Sequence, residues 1–211
     1  MFSSYRSVIK PLVLGVALAL TLPGQAALFT STDVPINMPD FGQSGSHVST
    51  LTVSDGALTS ITDVNVRLNF TSGDINDIYC YLQFTPTGSE FPITVLLLNQ
   101  ITGTPITSLN VTLDQSAANN IHSASPITDG GSYQPDAGAV TLANYNGWNP
   151  NGTWYLYLDD LHTGEVSTLN SWSLEITAVP EPSTWAMGGF GLIFAGTAFY
   201  QKQRGRSGKK V

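Results

Sequence analysis

The chain has 211 residues, 42% of them hydrophobic and 11% charged, with 8 Lys+Arg against 15 Asp+Glu and a net charge of −7. That composition supplies one apolar core and excludes general disorder. A single cysteine excludes an internal disulfide framework and a cysteine-cluster metal site, and the acidic balance excludes nucleic acid as a partner. Charge is segregated along the chain. Seven of the eight bases lie in residues 6–10 and 202–210, while fourteen of the fifteen acids lie in residues 27–178 against the single Arg67, so this body carries −13 between two basic ends.

Residues 1–26 have the layout of a secretory signal peptide. Arg6 and Lys10 form the charged start, Leu12 to Leu22 is an apolar run, and Pro23 breaks it. Gly24-Gln25-Ala26 puts small residues at the cleavage positions. The apolar run is too short to cross a bilayer. Signal peptidase is therefore expected to cut between Ala26 and Ala27, leaving a mature chain outside the cytoplasm. Cys80, a lone thiol in an oxidising compartment, is expected to be buried.

Residues 27–178 alternate with period two. Every second residue of Val64–Phe70 is apolar, and Ile78, Cys80, Leu82 and Phe84 share a face opposite Tyr79, Tyr81 and Gln83. Trp154, Leu156 and Leu158 oppose Tyr155, Tyr157 and Asp159; Trp172, Leu174 and Ile176 oppose Ser171, Ser173 and Glu175. This is the pattern of half-buried strands. Ile93–Leu98 is more continuously apolar and predicts a strand buried on both faces. Breakers separate these runs at Ser72-Gly73-Asp74, Pro86-Thr87-Gly88, Asp129-Gly130-Gly131, Asn149 to Gly152 and His162-Thr163-Gly164. The fold expected is all-β: a single β-sandwich or jelly roll of about eight strands, flanked by an N-terminal signal helix and a C-terminal transmembrane helix.

The second half of the body carries a resemblance. Gly152-Thr153-Trp154-Tyr155-Leu156-Tyr157-Leu158-Asp159-Asp160, then Gly164 and Leu169-Asn170-Ser171-Trp172-Ser173-Leu174, resembles the closing signature of the P domain (Homo B domain) of subtilisin-like proprotein convertases. Gly131–Asp136 and Leu142–Gly147 resemble the stretch before it, and Asn76-Asp77-Ile78 with Pro86-Thr87-Gly88 resembles an earlier strand and turn. Asn76 stands where that family usually has glycine, the segment Asp77–Pro86 is one residue longer than usual, and Thr and Ser occupy a region where a histidine is common. In the convertases this domain packs on and stabilises the protease; here no subtilisin-like domain precedes it in the sequence, so it is expected to stand alone.

The chemistry legible in the body is limited. His47, His122 and His162 sit in no recognisable motif, and Gly42-Gln43-Ser44-Gly45 lacks the spacing of a nucleophile elbow, so no catalytic residue is assigned. The resemblance implies calcium on Asp77, Asp114 and Asp160, with Asp159 adjacent; the alternative is that these acids cap turns or face solvent. Tyr79, Tyr81, Tyr155 and Tyr157 oppose the core stripes and form candidate glycan contacts, or else belong to the sandwich's own packing. Asn69-Phe70-Thr71, Asn110-Val111-Thr112 and Asn151-Gly152-Thr153 match the N-glycosylation pattern.

The C-terminal segment, residues 179–211, has three parts. Val179-Pro180-Glu181-Pro182-Ser183-Thr184 is an extended segment that two prolines bar from helix and central strand. Trp185–Tyr200 is apolar and, as a helix at ~1.5 Å per residue, is about 24 Å long, short for a ~30 Å hydrocarbon core. A basic cluster over residues 202–210 follows and is held on the cytoplasmic side. The motif, helix and basic tail, in that order, resemble the PEP-CTERM sorting signal of Gram-negative bacteria. That implies recognition by an exosortase, cleavage at or near Pro180-Glu181-Pro182, and a surface or biofilm-matrix destination. The combined expectation is an exported, surface-sorted protein with a non-catalytic binding or structural role. The alternatives are an accessory domain for a separately encoded subtilisin-like serine endopeptidase and a lectin-like module that binds exopolysaccharide.

Overall fold

Two-faced strands bury themselves by pairing edge to edge and stacking face to face. The computed structural model describes residues 24–180 except 39, 42–46, 72, 102–105, 137 and 165. Ten strands occur among the described residues: β1 (Gln25–Thr30), β2 (Ile36–Asn37), β3 (His47–Val53), β4 (Leu58–Thr71), β5 (Ile78–Phe84), β6 (Ile93–Asn99), β7 (Ser108–Leu113), β8 (Gly131–Tyr133), β9 (Gly152–Asp160) and β10 (Thr168–Pro180). One sheet runs β1-β10-β4-β7-β8, with β2 also on β10; the other runs β3-β9-β5-β6. Every pairing of these strands is antiparallel except β7 with β8. Apart from the short β2 and β8, the chain visits the first sheet, the second, the first, the second twice, then the first, second and first again. That order makes two Greek keys wrapped into a jelly roll.

The alternating runs become strands whose apolar halves meet between the sheets. The first sheet contributes Val64, Val66, Leu68 and Phe70 from β4 and Trp172, Leu174 and Ile176 from β10, all buried. Phe84 and Trp154 of the second sheet stack at 4.1 Å and an interplanar angle of 3°, and Tyr145 meets Trp154 edge-on at 4.8 Å. The polar atoms of these buried aromatics have partners: Trp154 Nε1 donates to Pro150 O, Trp172 Nε1 to Ser49 Oγ, and Tyr145 Oη to Leu82 O. The signature tryptophans of the sequence resemblance are thus core anchors. Gly152 takes φ +141°, and a Cβ there meets the Phe84 ring at 3.1 Å, so both backbone and packing require glycine at the start of β9.

β6 departs from its expected two-sided burial. Thr94 is exposed and Leu96 half-buried, whereas Val95, Leu97 and Leu98 are buried. The register slips between Cys80 and Tyr81, pairing Cys80 with Leu98 and Tyr81 with Leu96. This bulge puts two successive leucines inward on an edge strand, which a continuous apolar run mimics in sequence.

Strand pairing reaches past residues 27 and 178 at both ends. Gln25 and Ala26 already belong to β1, where Gln25 pairs with Ala178, Ala26 with Thr177 and Ala27 with Ile176. β10 continues through Val179 and Pro180, which pair with Ser60 and Leu58 of β4, so the segment from Val179 does not leave the sheet at once. Proline is tolerated there because the pairing with β1 reaches only Ala178, leaving that side of β10 without a partner needing an N–H. The leader over 1–23, the residues Glu181 and Pro182, the apolar segment 185–200 and the basic tail lie outside the described residues. Among the described residues, no helix is long and apolar enough to cross a membrane.

Candidate binding face

The outer face of the second sheet collects the four tyrosines read from the sequence. Antiparallel pairing sets Tyr81 opposite Tyr157, with Val48 beyond Tyr157 on β3 and Leu96 beyond Tyr81 on β6. The next row is Thr50, Tyr155, Gln83 and Thr94. Tyr79 pairs with Asp159 at the far end. Alternation makes this face inevitable, because the same strands send Ile78, Cys80, Leu82 and Phe84, and Trp154, Leu156 and Leu158, into the core.

The rings form a continuous row. Tyr81 and Tyr157 stack at 4.7 Å and 5°; Tyr79 meets Tyr81 at 6.0 Å and 65°, and Tyr155 meets Tyr157 at 6.4 Å and 36°. The central pair covers one face of each of its rings, and Tyr155 is 36% exposed near exposed Val48. Tyr157 Oη donates to Gln83 Oε1 at 3.2 Å, and Gln83 Nε2 donates to Thr94 Oγ1 at 3.2 Å. Burial in the row, with Tyr157, Asp159 and Tyr79 around it, pushes the Tyr81 phenol above its ordinary value, so it stays a neutral donor. Directly beneath, burial pushes the Cys80 thiol far above its usual range, with Asp159 adding to the effect.

The four aspartates implied as calcium ligands do not come together. Asp159 and Asp160 are adjacent on β9 and point to opposite faces: Asp159 outward beside Tyr79, Asp160 inward and 7% exposed. Asp77 lies in the 3-10 turn Ile75–Asp77 next to Asp160, but its Oδ1 faces His162 Nδ1 at 2.9 Å. Asp114 follows β7 in the other sheet and accepts from Ser116 N and Oγ, both at 2.7 Å. Among the described residues, no three acid, histidine or cysteine side chains converge as a cation-binding set. The four aspartates therefore do not form one cation-binding set, although Asp77 and Asp160 adjoin each other. Asp160 Oδ1 accepts from His162 N, while Oδ2 is buried without a hydrogen-bond partner. Burial, reinforced by Asp77 and Asp40, raises the Asp160 carboxyl above its ordinary value, and the His162 N–H and the Ser167 hydroxyl offset this only in part.

Histidines and serines meet carboxylates in separate places. His122 Nδ1 lies 3.1 Å from Asp136 Oδ2, and His162 faces Asp77. Asp33, which sequence reasoning missed, accepts from the hydroxyls of Ser31 and Ser49 and from Thr50 N. Burial alone raises that carboxyl, but the donors from Ser31, Ser49 and Thr50 outweigh it and hold it below its ordinary value. Ser49 is fully buried and receives Trp172 Nε1, so its hydroxyl is a structural bridge from β3 to β10. His47 lies in β3 two residues before it. A cleft of about 350 Å³ between Ile106–Asn110 and Ile127–Asp129, and one of about 100 Å³ holding Asn120, Gln134 and Asp136, both lie away from the tyrosine row.

No family model matches the chain, and no curated protein matches it. Among solved structures, it is similar to a serine protease of Aeromonas sobria at 17% identity and TM-score 0.39, over 74% of this chain and 26% of that one. The same protease in complex with its chaperone gives 19% identity and TM-score 0.39, over 75% and 26%. Infectious bursal disease virus, Gx strain, gives 14% identity and TM-score 0.26, over 89% and 52%. The chain thus spans about a quarter of the length of the protease chains it matches.

Proposed function

We propose that this protein is an exported, non-catalytic jelly-roll module of the P-domain kind. Its C-terminal signal sorts it to the cell surface or extracellular matrix, where it binds through the tyrosine face of its second sheet. The observation that carries the binding role is the row of four tyrosines on the outer face of the second sheet, and the sorting reading rests on the order of motif, apolar run and basic cluster in residues 179–210. The separation of the histidine–aspartate pairs from the Asp33–Ser49 bridge supports a binding rather than a hydrolytic role.

The test is the intact mass of the protein recovered from its native host, with envelope and medium analysed separately. The expected masses lack residues 1–26 and everything after about residue 182. A mass that retains residues 185–211 would overturn the sorting reading and leave a membrane-anchored ectodomain. A second reading, an accessory domain for a separately encoded serine endopeptidase, rests on the resemblance of residues 152–174, whose Trp154 and Trp172 are core anchors. It requires a protease that co-purifies and gains thermal stability in the complex.

A further inference from the structure

We infer that the tyrosine face binds an uncharged polysaccharide chain; this names the ligand class for the binding module proposed above and rests on that reading. Charge narrows the ligand first. The body carries one base, Arg67, and that side chain lies in the first sheet, paired with Glu175. The strand residues that share the outer face of the second sheet are Thr, Tyr, Gln, Asn, Val and Leu, with Asp159 the one acid among them, at the end beside Tyr79. An otherwise acidic domain thus presents a face that is neutral along its tyrosine row and whose marginal charges, Asp159 and the Asp33 carboxylate bound to Thr50, are both acidic. Anionic polymers, nucleic acid and acidic lipid headgroups find no cation on it and are repelled by the domain as a whole. A second copy of the chain meets the same like-charge repulsion.

The chemistry that remains is a neutral ligand with apolar and hydroxylated surfaces in alternation. The face matches it. The Tyr81–Tyr157 stack forms a fixed spine, flanked by Tyr79 and Tyr155 at successive centroid steps of 6.0, 4.7 and 6.4 Å. Tyrosine supplies apolar contact area and a hydroxyl at small cost in conformational entropy. The Tyr157–Gln83–Thr94 relay adds oriented donors and acceptors across the row. The site is a line across a sheet rather than a concave pocket, so it suits a polymer lying along it better than a single sugar.

The experiment is gel retardation of the full chain in a neutral detergent, using hydroxyethyl cellulose and dextran as uncharged polymers and alginate as a charged one. Retardation by at least one uncharged polymer is expected, with none by alginate. Tyr79→Ala and Tyr155→Ala should each weaken it about tenfold or more. Tyr155→Phe, which keeps the ring, should retain most of it, and Leu28→Ala, on the exposed edge of the other sheet, should change nothing. Equal melting temperatures for all four variants exclude unfolding as the cause. The inference is overturned by no retardation in either uncharged polymer, by retardation in alginate alone, or by retardation that both alanine variants retain. Tyrosine-dependent self-association without polymer binding also overturns it, and identifies a second copy as the occupant. These failures leave the sorting reading standing, since that reading falls only on the masses of the processed chain.

Discussion

Asp160 shows how a single side chain can be costly to the fold that holds it. One carboxylate oxygen accepts from His162 N and the Ser167 hydroxyl offsets the burial in part, yet Oδ2 is buried without a hydrogen-bond partner, near the like charges of Asp77 and Asp40. A buried unsatisfied acceptor costs on the order of 1–3 kcal/mol. Asp160→Asn keeps the oxygen that receives His162 N and replaces the orphan with a neutral donor able to face those carboxylates. It should therefore raise stability at pH 7 by about 1 kcal/mol, read from urea unfolding. The advantage fades with acid. The raised carboxyl in the folded state binds its proton before the unfolded one does, so the native aspartate recovers stability as pH falls through the folded value, and the variant's advantage should disappear by about pH 4. A constant advantage down to that pH would show that repulsion is not the cause. Cys80, fully buried under Tyr79 and Tyr81 with its thiol pushed far up, should react with an aromatic disulfide reagent only as fast as the protein unfolds. Because the four implied aspartates diverge, a chelator should leave the melting temperature unchanged; a fall of several degrees would restore a calcium site built from other oxygens.

Strand pairing decides what happens at the chain ends. Cleavage after Ala26 removes only the first two pairs of β1, in which the β1 residues themselves are exposed, and leaves Ala27–Thr30 paired with Ile176–Ser173. A chain beginning at Ala27 should therefore melt within a few degrees of one beginning at Gly24. One beginning at Ser31 also loses Phe29, which packs against the core, and should be less stable by about 2 kcal/mol or more. Equal stability of all three would show that β1 is dispensable. The strands that were legible in sequence, such as β5 and β9, alternate strictly because each has one wet face. β1 was hidden because it overlaps the leader boundary, and the inward turn of Leu97 and Leu98 depends on a bulge set by the partner strand. The tyrosines' common face could be read from alternation. Their stacking could not, because Tyr81 meets Tyr157 only through the β5–β9 register. Ser49 looked like any strand serine until β3 was placed against Trp172 and Asp33.

At the scale of the molecule, a body of fourteen acids and one base folds against its own charge, and three of those acids have opposing pH effects. Asp63 is raised by burial and then by Asp114 and, more weakly, Glu175, and Asp160 is raised by burial and then by Asp77 and Asp40. Both bind protons more tightly in the folded state, so each adds stability as pH falls through its folded value toward the ordinary aspartate value of 3.8. Asp33 is the reverse. Its folded value lies below 3.8, so the stability its serine and Thr50 donors confer is present above that value and lost as pH falls through the lower one. The melting temperature should consequently rise from about pH 7 into the mildly acid range, peak near the ordinary carboxylate value, and drop below it. Added salt at neutral pH should raise it as well, since screening acts on the same repulsion. Asp33→Asn should remove the steep loss at the acid end while lowering stability at neutral pH, because the amide cannot receive all four donors as a carboxylate does. A melting temperature that falls steadily from neutral pH would mean that net charge is not what limits this fold, and would shift the cost onto the buried polar groups alone.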